Sequence, residues 1–164
     1  MCMLPVSDQD RIEKDSLGEV RVTASALWGA QTQRAVDNFR IGRLTVPAAL
    51  IHAIALVKWA AAEANGELGE LPPAIAAAIG VAALEIADGQ HAGQFPVGVM
   101  QTGSGTSTNM NVNEVIGRLA GVRLGTAVHG RGIDHSAAAP EQHVAHGAAL
   151  IEGCPVVADV ERLP

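Results

Sequence analysis

Two alanine-rich apolar stretches, Pro47 to Gly66 and Pro73 to Gly89, constrain the fold of this chain more than any other feature. Each opens at a proline, tolerated at the start of a helix because its missing N–H would find no partner there. Each closes on a turn-forming pair, Asn65-Gly66 and Asp88-Gly89. Leu50, Ile54, Val57 and Ala61 recur at helical spacing in the first, and Ile75, Ile79, Ala82 and Ile86 in the second, predicted over Pro73 to Ala87. The link through Gly69 and Leu71-Pro72 is short, so a helical hairpin with facing core stripes is expected. His52 and Lys58 flank the first stripe and are expected in solvent.

The fold class is mainly α. Trp28, Trp59, Phe39 and Phe95 are the only aromatic residues, and such alanine-rich composition favours close-packed helices over a β-sandwich. Ahead of the helices, Arg11 to Glu13 and Glu19 to Val22 are β-prone and separated by Asp15-Ser16-Leu17-Gly18, which predicts a small hairpin. Ser25 to Asp37 suits a surface helix or a loop equally well. A third helix is predicted over Asn109 to Leu119, with Val112, Val115, Ile116 and Leu119 inward and Gly117 weakening it. Beyond Gly121 glycine and alanine dominate, His129, His135, His143 and His146 appear, and no period or internal repeat is found.

A formal net charge of −6 without a Lys/Arg cluster argues against nucleic-acid binding, though not against a small dianion. Cys2 and Cys154 lie far apart in no Cys-x-x-Cys spacing, so two reduced thiols are expected. The tail histidines, even with Asp134, match no finger or zincin spacing, and no metal site is expected. No leader pattern precedes Arg11, and His52, Lys58 and Trp59 interrupt the apolar run from Leu50 to Ala62. A cytoplasmic protein without a membrane partner is expected.

The segment with chemical potential runs from Gly93 to Glu114 and reads GQFPVGVMQTGSGTSTNMNVNE. Thr102, Ser104, Thr106, Ser107 and Thr108 offer hydroxyls, while Gly103 and Gly105 let backbone N–H groups approach an anion. The following helix would add a positive N-terminus. The glycines are not followed by Gly-Lys-Ser/Thr, which sets a nucleotide P-loop aside. Residue types alone leave both an anion-gripping loop and a simple capped connection open.

The string QTGSGTSTNMNVNEVI resembles the signature loop of the class II fumarases, in the fumarase/aspartase superfamily. Upstream, Arg11 to Asp15, Leu17 to Val22, Leu27 to Val36 and Asn38-Phe39 are similar to the start of those enzymes, in the same order. Trp28 to Gln33 and Thr102 to Thr106 look like fumarase rather than aspartase, so an aspartase-like ammonia-lyase ranks lower. The resemblance covers about Arg11 to His129. It implies an amino-terminal lyase domain at 11–129, between a disordered lead at 1–10 and a divergent, poorly ordered tail at 130–164, with the family's central long-helix bundle absent.

The implied reaction is the reversible hydration of fumarate to L-malate, which requires a base at C3, an acid for the hydroxyl and donors to hold the dianion. The resemblance places substrate binding on Ser104, Gly105, Thr106 and Asn109, and retains His129 from the following motif. It implies no cofactor, no metal, a small dicarboxylate ligand and a homotetrameric family. Thr23 stands where proline is usual, and Gly98 where an acidic residue is common. The family's His-Pro-Asn-Asp, Ser-Ser-Asn, Thr-His and Gly-Ser-Ser segments, which carry the proton-transfer groups, are not found, so no catalytic residue is assigned. The expectation is a truncated or frameshifted piece, broken shortly after Val128 and not competent alone. Codons for Glu141 to His146 read one base later can encode Ser-Asn-Thr-Ser-Pro-Thr, close to the missing segment. The alternative is a non-catalytic fragment that binds a dicarboxylate or docks on a complete subunit, either as a monomer or associated through exposed helices.

Overall fold

The first two elements of the structure, a computed structural model describing residues 10–42 and 44–125, are strands β1 (Asp10–Asp15) and β2 (Gly18–Thr23). Expectations for residues 1–9 and 126–164, including the flanking segments, both cysteines and the tail histidines with His129, lie outside the described residues. The strands pair antiparallel from Asp10 with Thr23 to Asp15 with Gly18, as the hairpin reading predicts. Gly18 takes φ +109 at the turn, and the Leu17 N–H donates to the Asp15 carboxylate at 2.9 Å.

The alternation in β1 is inverted from the usual hydrophobic-in pattern. Ile12 is 57% exposed, whereas Arg11, Glu13 and Asp15 are half-buried. Their polar bonds explain the inversion. Arg11 donates to the carbonyls of Thr23 (2.8 Å), Ala26 (2.7 Å) and Trp28 (2.5 Å), gathering the chain that leaves β2. Asp15 accepts a two-pronged bond from Arg34 at 2.9 and 3.1 Å. Arg34 belongs to helix α1 (Ala30–Asn38), so the ambiguous segment resolves as turn and loop up to Gly29 and as a helix fastened to the hairpin beyond it.

Helices α2 (Ala48–Glu67) and α3 (Pro73–Ala87) form the expected helical hairpin. The Asn65 carbonyl accepts from Glu70 and Leu71 N–H at 2.9 and 3.1 Å, and Gly69 takes φ +76 in the link. Two local expectations for α2 are corrected. Asn65-Gly66 does not stop the helix, which runs on to Glu67. Gly66 instead lets the two helices meet, since a Cβ there would lie 2.9 Å from the Ala76 Cβ. The inward stripe is Ile51, Ala55, Lys58 and Ala62, one position on from that predicted, leaving Leu50 and Val57 exposed. Apolar residues occupy most of the run, and one of its few polar residues, Lys58, stands on the inward face, so the spacing misleads about the phase.

Lys58 is therefore inside, 7% exposed, and its Nζ has no hydrogen-bond partner among the described residues. Burial pushes its pKa from 10.5 down to about 8.

Helix α4 (Thr106–Leu124) contributes Val112, Val115 and Ile116 to a core shared with Val46, Ile51 and Ala55 of the α2 region and Ala82, Ala83 and Ile86 of α3. The predicted inward face of α4 is borne out, although the helix starts three residues earlier than Asn109. Glu85 of α3 ties to Arg123 of α4 and to His91, and the Arg123 guanidinium foremost holds its carboxyl below the usual range. Among the described residues no helix is long and apolar enough to cross a membrane.

Candidate functional site

Helix α4 begins without a side-chain cap from its own N-cap residue. Gly105, its N-cap residue, takes the left-handed φ of +70 that glycine adopts freely, and no acidic residue occupies the first turn. The Gly105 N–H donates to the Thr102 carbonyl at 3.0 Å, closing Thr102 to Gly105 into a tight turn directly before the helix. The N–H groups of Thr106 and Ser107 have no partner among the described residues, so the positive end of the helix is not neutralised locally.

Beside this end stand the two hydroxyls singled out in the sequence. Ser104 Oγ and Thr106 Oγ1 are exposed and 2.8 Å apart, bonded to each other. Asn109, one turn further along α4, is half-buried. The structure thus brings Ser104, Gly105, Thr106 and Asn109 together at one helix start, while His129 falls outside the described residues. These are neutral donors and acceptors. They can hold a carboxylate through N–H and O–H bonds but do not titrate near neutrality, and no general acid or base stands among the four.

Residue types alone missed three polar side chains that shape this region. Glu114, two turns into α4, accepts backbone N–H bonds from Gly29 (2.9 Å), Gln31 (3.0 Å) and Thr32 (3.1 Å). Its carboxylate caps α1 in place of Gly29, which has no side chain to do so. A Cβ at Gly29 would lie 2.9 Å from Glu114 Oε1, so any side chain there would push the carboxylate from its place. Gln94 accepts from the Leu27 N–H at 2.6 Å through its side chain, and from Asn111 Nδ2 at 3.0 Å through its carbonyl. Gln101 bonds both Gly98 and Thr108. The available signal was position: Gln101 opens the hydroxyl-rich string and Glu114 ends it.

Through Glu114, two segments far apart in sequence, Trp28 to Gln33 and Thr102 to Glu114, join into one structural unit. A family of lyases matches residues 18–149 of this chain, both segments included. The chain belongs to that lyase family. Among its relatives, the class II fumarate hydratase of Nitrosomonas europaea is 54% identical over 141 residues, 85% of this chain and 29% of that protein. The class II fumarate hydratase of Mycobacterium tuberculosis is 56% identical over 119 residues, 73% of this chain and 25% of that protein. A class II fumarase from Schistosoma mansoni superposes with a TM-score of 0.71 at 37% identity, covering 75% of this chain and 27% of that one. The Brucella melitensis protein described as fumarate lyase:delta crystallin gives 0.70 at 46% identity, covering 73% and 28%. The class II fumarase resemblance and the mainly helical fold with its leading hairpin are both borne out. The chain spans under a third of the length of these relatives, and the lyase match continues beyond His129.

Proposed function

We propose that this chain is the amino-terminal lyase domain, residues 11–129, of a class II fumarate hydratase, and that the start of α4 holds one carboxylate of fumarate or L-malate. The observation that carries this reading is the exposed Ser104–Thr106 hydroxyl pair, 2.8 Å apart at a helix start whose N-cap, Gly105, has no side chain and whose first turn holds no acid. A carboxylate there would accept from the Thr106 and Ser107 N–H groups and from the two hydroxyls, with the helix end favouring its charge. Gly105 lets the backbone come close, and the Asn109 carboxamide adds a neutral donor one turn away. His129 joins the ligand set by family resemblance.

Hydration also needs a proton to leave C3 and another to reach the departing hydroxyl. The described loop supports binding and orientation rather than those transfers, so the chain is proposed to hold substrate while the proton-transferring groups come from other parts of a complete enzyme. In this reading the isolated chain does not dehydrate malate, and its cellular setting is the cytoplasm.

The test is a titration of the isotope-labelled chain with fumarate and L-malate, followed by amide NMR. Shifts at Gly105, Thr106 and Ser107, lost in Ser104→Ala/Thr106→Val, are expected at millimolar affinity. Saturating fumarate with no shift at these amides would refute the binding site. Malate dehydration by the purified chain alone, followed by ultraviolet absorbance, would refute the division of labour.

A further inference from the structure

The loop that carries Ser104 and Thr106 has no cap of its own, and what holds it is a side chain that precedes it. The Gln101 carboxamide engages three groups at once. Its Nε2 donates to the Gly98 carbonyl at 3.0 Å and to Thr108 Oγ1 at 2.6 Å, while its Oε1 accepts the Thr108 N–H at 3.1 Å. Thr108 is the third residue of α4 and 4% exposed, so this clamp closes on the buried side of the helix start.

We infer that Gln101 is the positioning residue of the anion loop: by capping α4 at Thr108 from outside the helix, it fixes the turn bearing Ser104 and Thr106 and leaves the Thr106 and Ser107 N–H groups for a ligand. This inference rests on the dicarboxylate reading above. An ordinary N-cap side chain at position 105 would occupy the space and the amides that an anion needs. Gln101 satisfies the Thr108 N–H without doing so.

The clamp is also anchored at its far end. Gly98 forms a β-bridge with Thr45, flanked by Val46 N–H to the Val97 carbonyl (3.2 Å) and Val99 N–H to the Leu44 carbonyl (3.0 Å). Thr45 lies just before Pro47, where α2 begins. One carboxamide therefore ties the loop to the entry of α2 and to the first turn of α4, two rigid supports. A glutamine suits this task because donor and acceptor sit on one planar group. Glutamate would lack the donor for Gly98 and bring a negative charge to a site for anions, and methionine would keep the length without either bond.

The test compares Gln101→Met with a control of similar global effect, Ala120→Gly, which removes a buried methyl from α4 away from the loop. Fumarate affinity is read by amide NMR, global stability by urea denaturation, and loop order by hydrogen exchange at Thr106 to Asn109 in the ligand-free chain. Gln101→Met is expected to weaken fumarate binding about tenfold or more and to speed exchange at Thr108 by a similar factor. Ala120→Gly is expected to bind as the parent does at equal or greater loss of global stability. Unchanged affinity in Gln101→Met, or an equal loss in Ala120→Gly, would overturn the inference. If Gln101→Met does not fold, Thr108→Val, which removes the 2.6 Å acceptor, is expected to give the same weakening and is judged by the same criteria. If the parent chain does not bind fumarate, the dicarboxylate reading fails by itself. The clamp is then decided by ligand-free exchange: faster exchange at Thr108 in Gln101→Met upholds it, and unchanged exchange overturns it.

Discussion

Glu114 is the residue on which the joining of the two motif segments depends, because one half-buried carboxylate meets three N–H groups that α1 cannot satisfy internally. Glu114→Ala is expected to lower stability by about 3 kcal/mol in urea denaturation, and Glu114→Gln by roughly half as much since one acceptor survives. Lys58 presents the opposite situation, a cation without a counter-charge among the described residues. Its folded pKa of about 8 lies below its ordinary 10.5, so at pH 7 the amine is charged in both states and the cost of burying it is borne in full. As pH rises from about 8 towards 10.5 the folded chain has already released the proton that the unfolded chain still keeps, and stability climbs. Lys58→Met is therefore expected to stabilise the chain by about 2–3 kcal/mol at pH 7, with the advantage fading as pH approaches 10.5. Denaturation of both chains across that range checks the sign.

At the level of elements, Gly66 and Ala76 set how closely α2 and α3 approach. Alanine at 66 would gain about 1 kcal/mol of helix propensity, but a Cβ placed 2.9 Å from its neighbour forces the hairpin apart at a cost of about 1–3 kcal/mol. Gly66→Ala is expected to lower the melting temperature, and adding Ala76→Gly to recover most of the loss. Element limits were legible where side chains punctuate the chain: Pro73 and Asp88-Gly89 bracket α3 as predicted, and the Asp15 to Gly18 turn set the hairpin. The inward face of α2 was not legible, because alanine and larger apolar residues occupy nearly every side of Ala48 to Ala62 and the polar Lys58 lies on the buried one, so only packing against α3 and α4 decides which side turns in. The start of α4 was read too late because Thr106, Ser107 and Thr108 look like loop residues. Their helical state depends on Gln101 and on the left-handed Gly105. For the candidate site, the hydroxyl pair was readable as residue types within a recognisable string. The roles of Gln101 and Glu114 were not, since each acts on backbone groups that residue spacing does not reveal.

For the molecule as a whole, the outer face of α2 carries Leu50 (50% exposed), Leu56 (48%) and Val57 (57%) with little charge between them. An uncovered stripe of this kind favours association. The purified chain is expected to self-associate with rising concentration, and Leu50→Asp/Val57→Lys to keep it monomeric by sedimentation with unchanged helix content. A second molecular property follows from the span of the Gly29–Glu114 bond, whose partners stand 85 positions apart. Drawing such distant points together is entropically costly until α2 and α3 have folded back and shortened the path between them. On a ribosome, Gly29 to Gln33 would wait for more than eighty further residues before its cap emerged, so this early motif acquires its native shape only once α4 has been made.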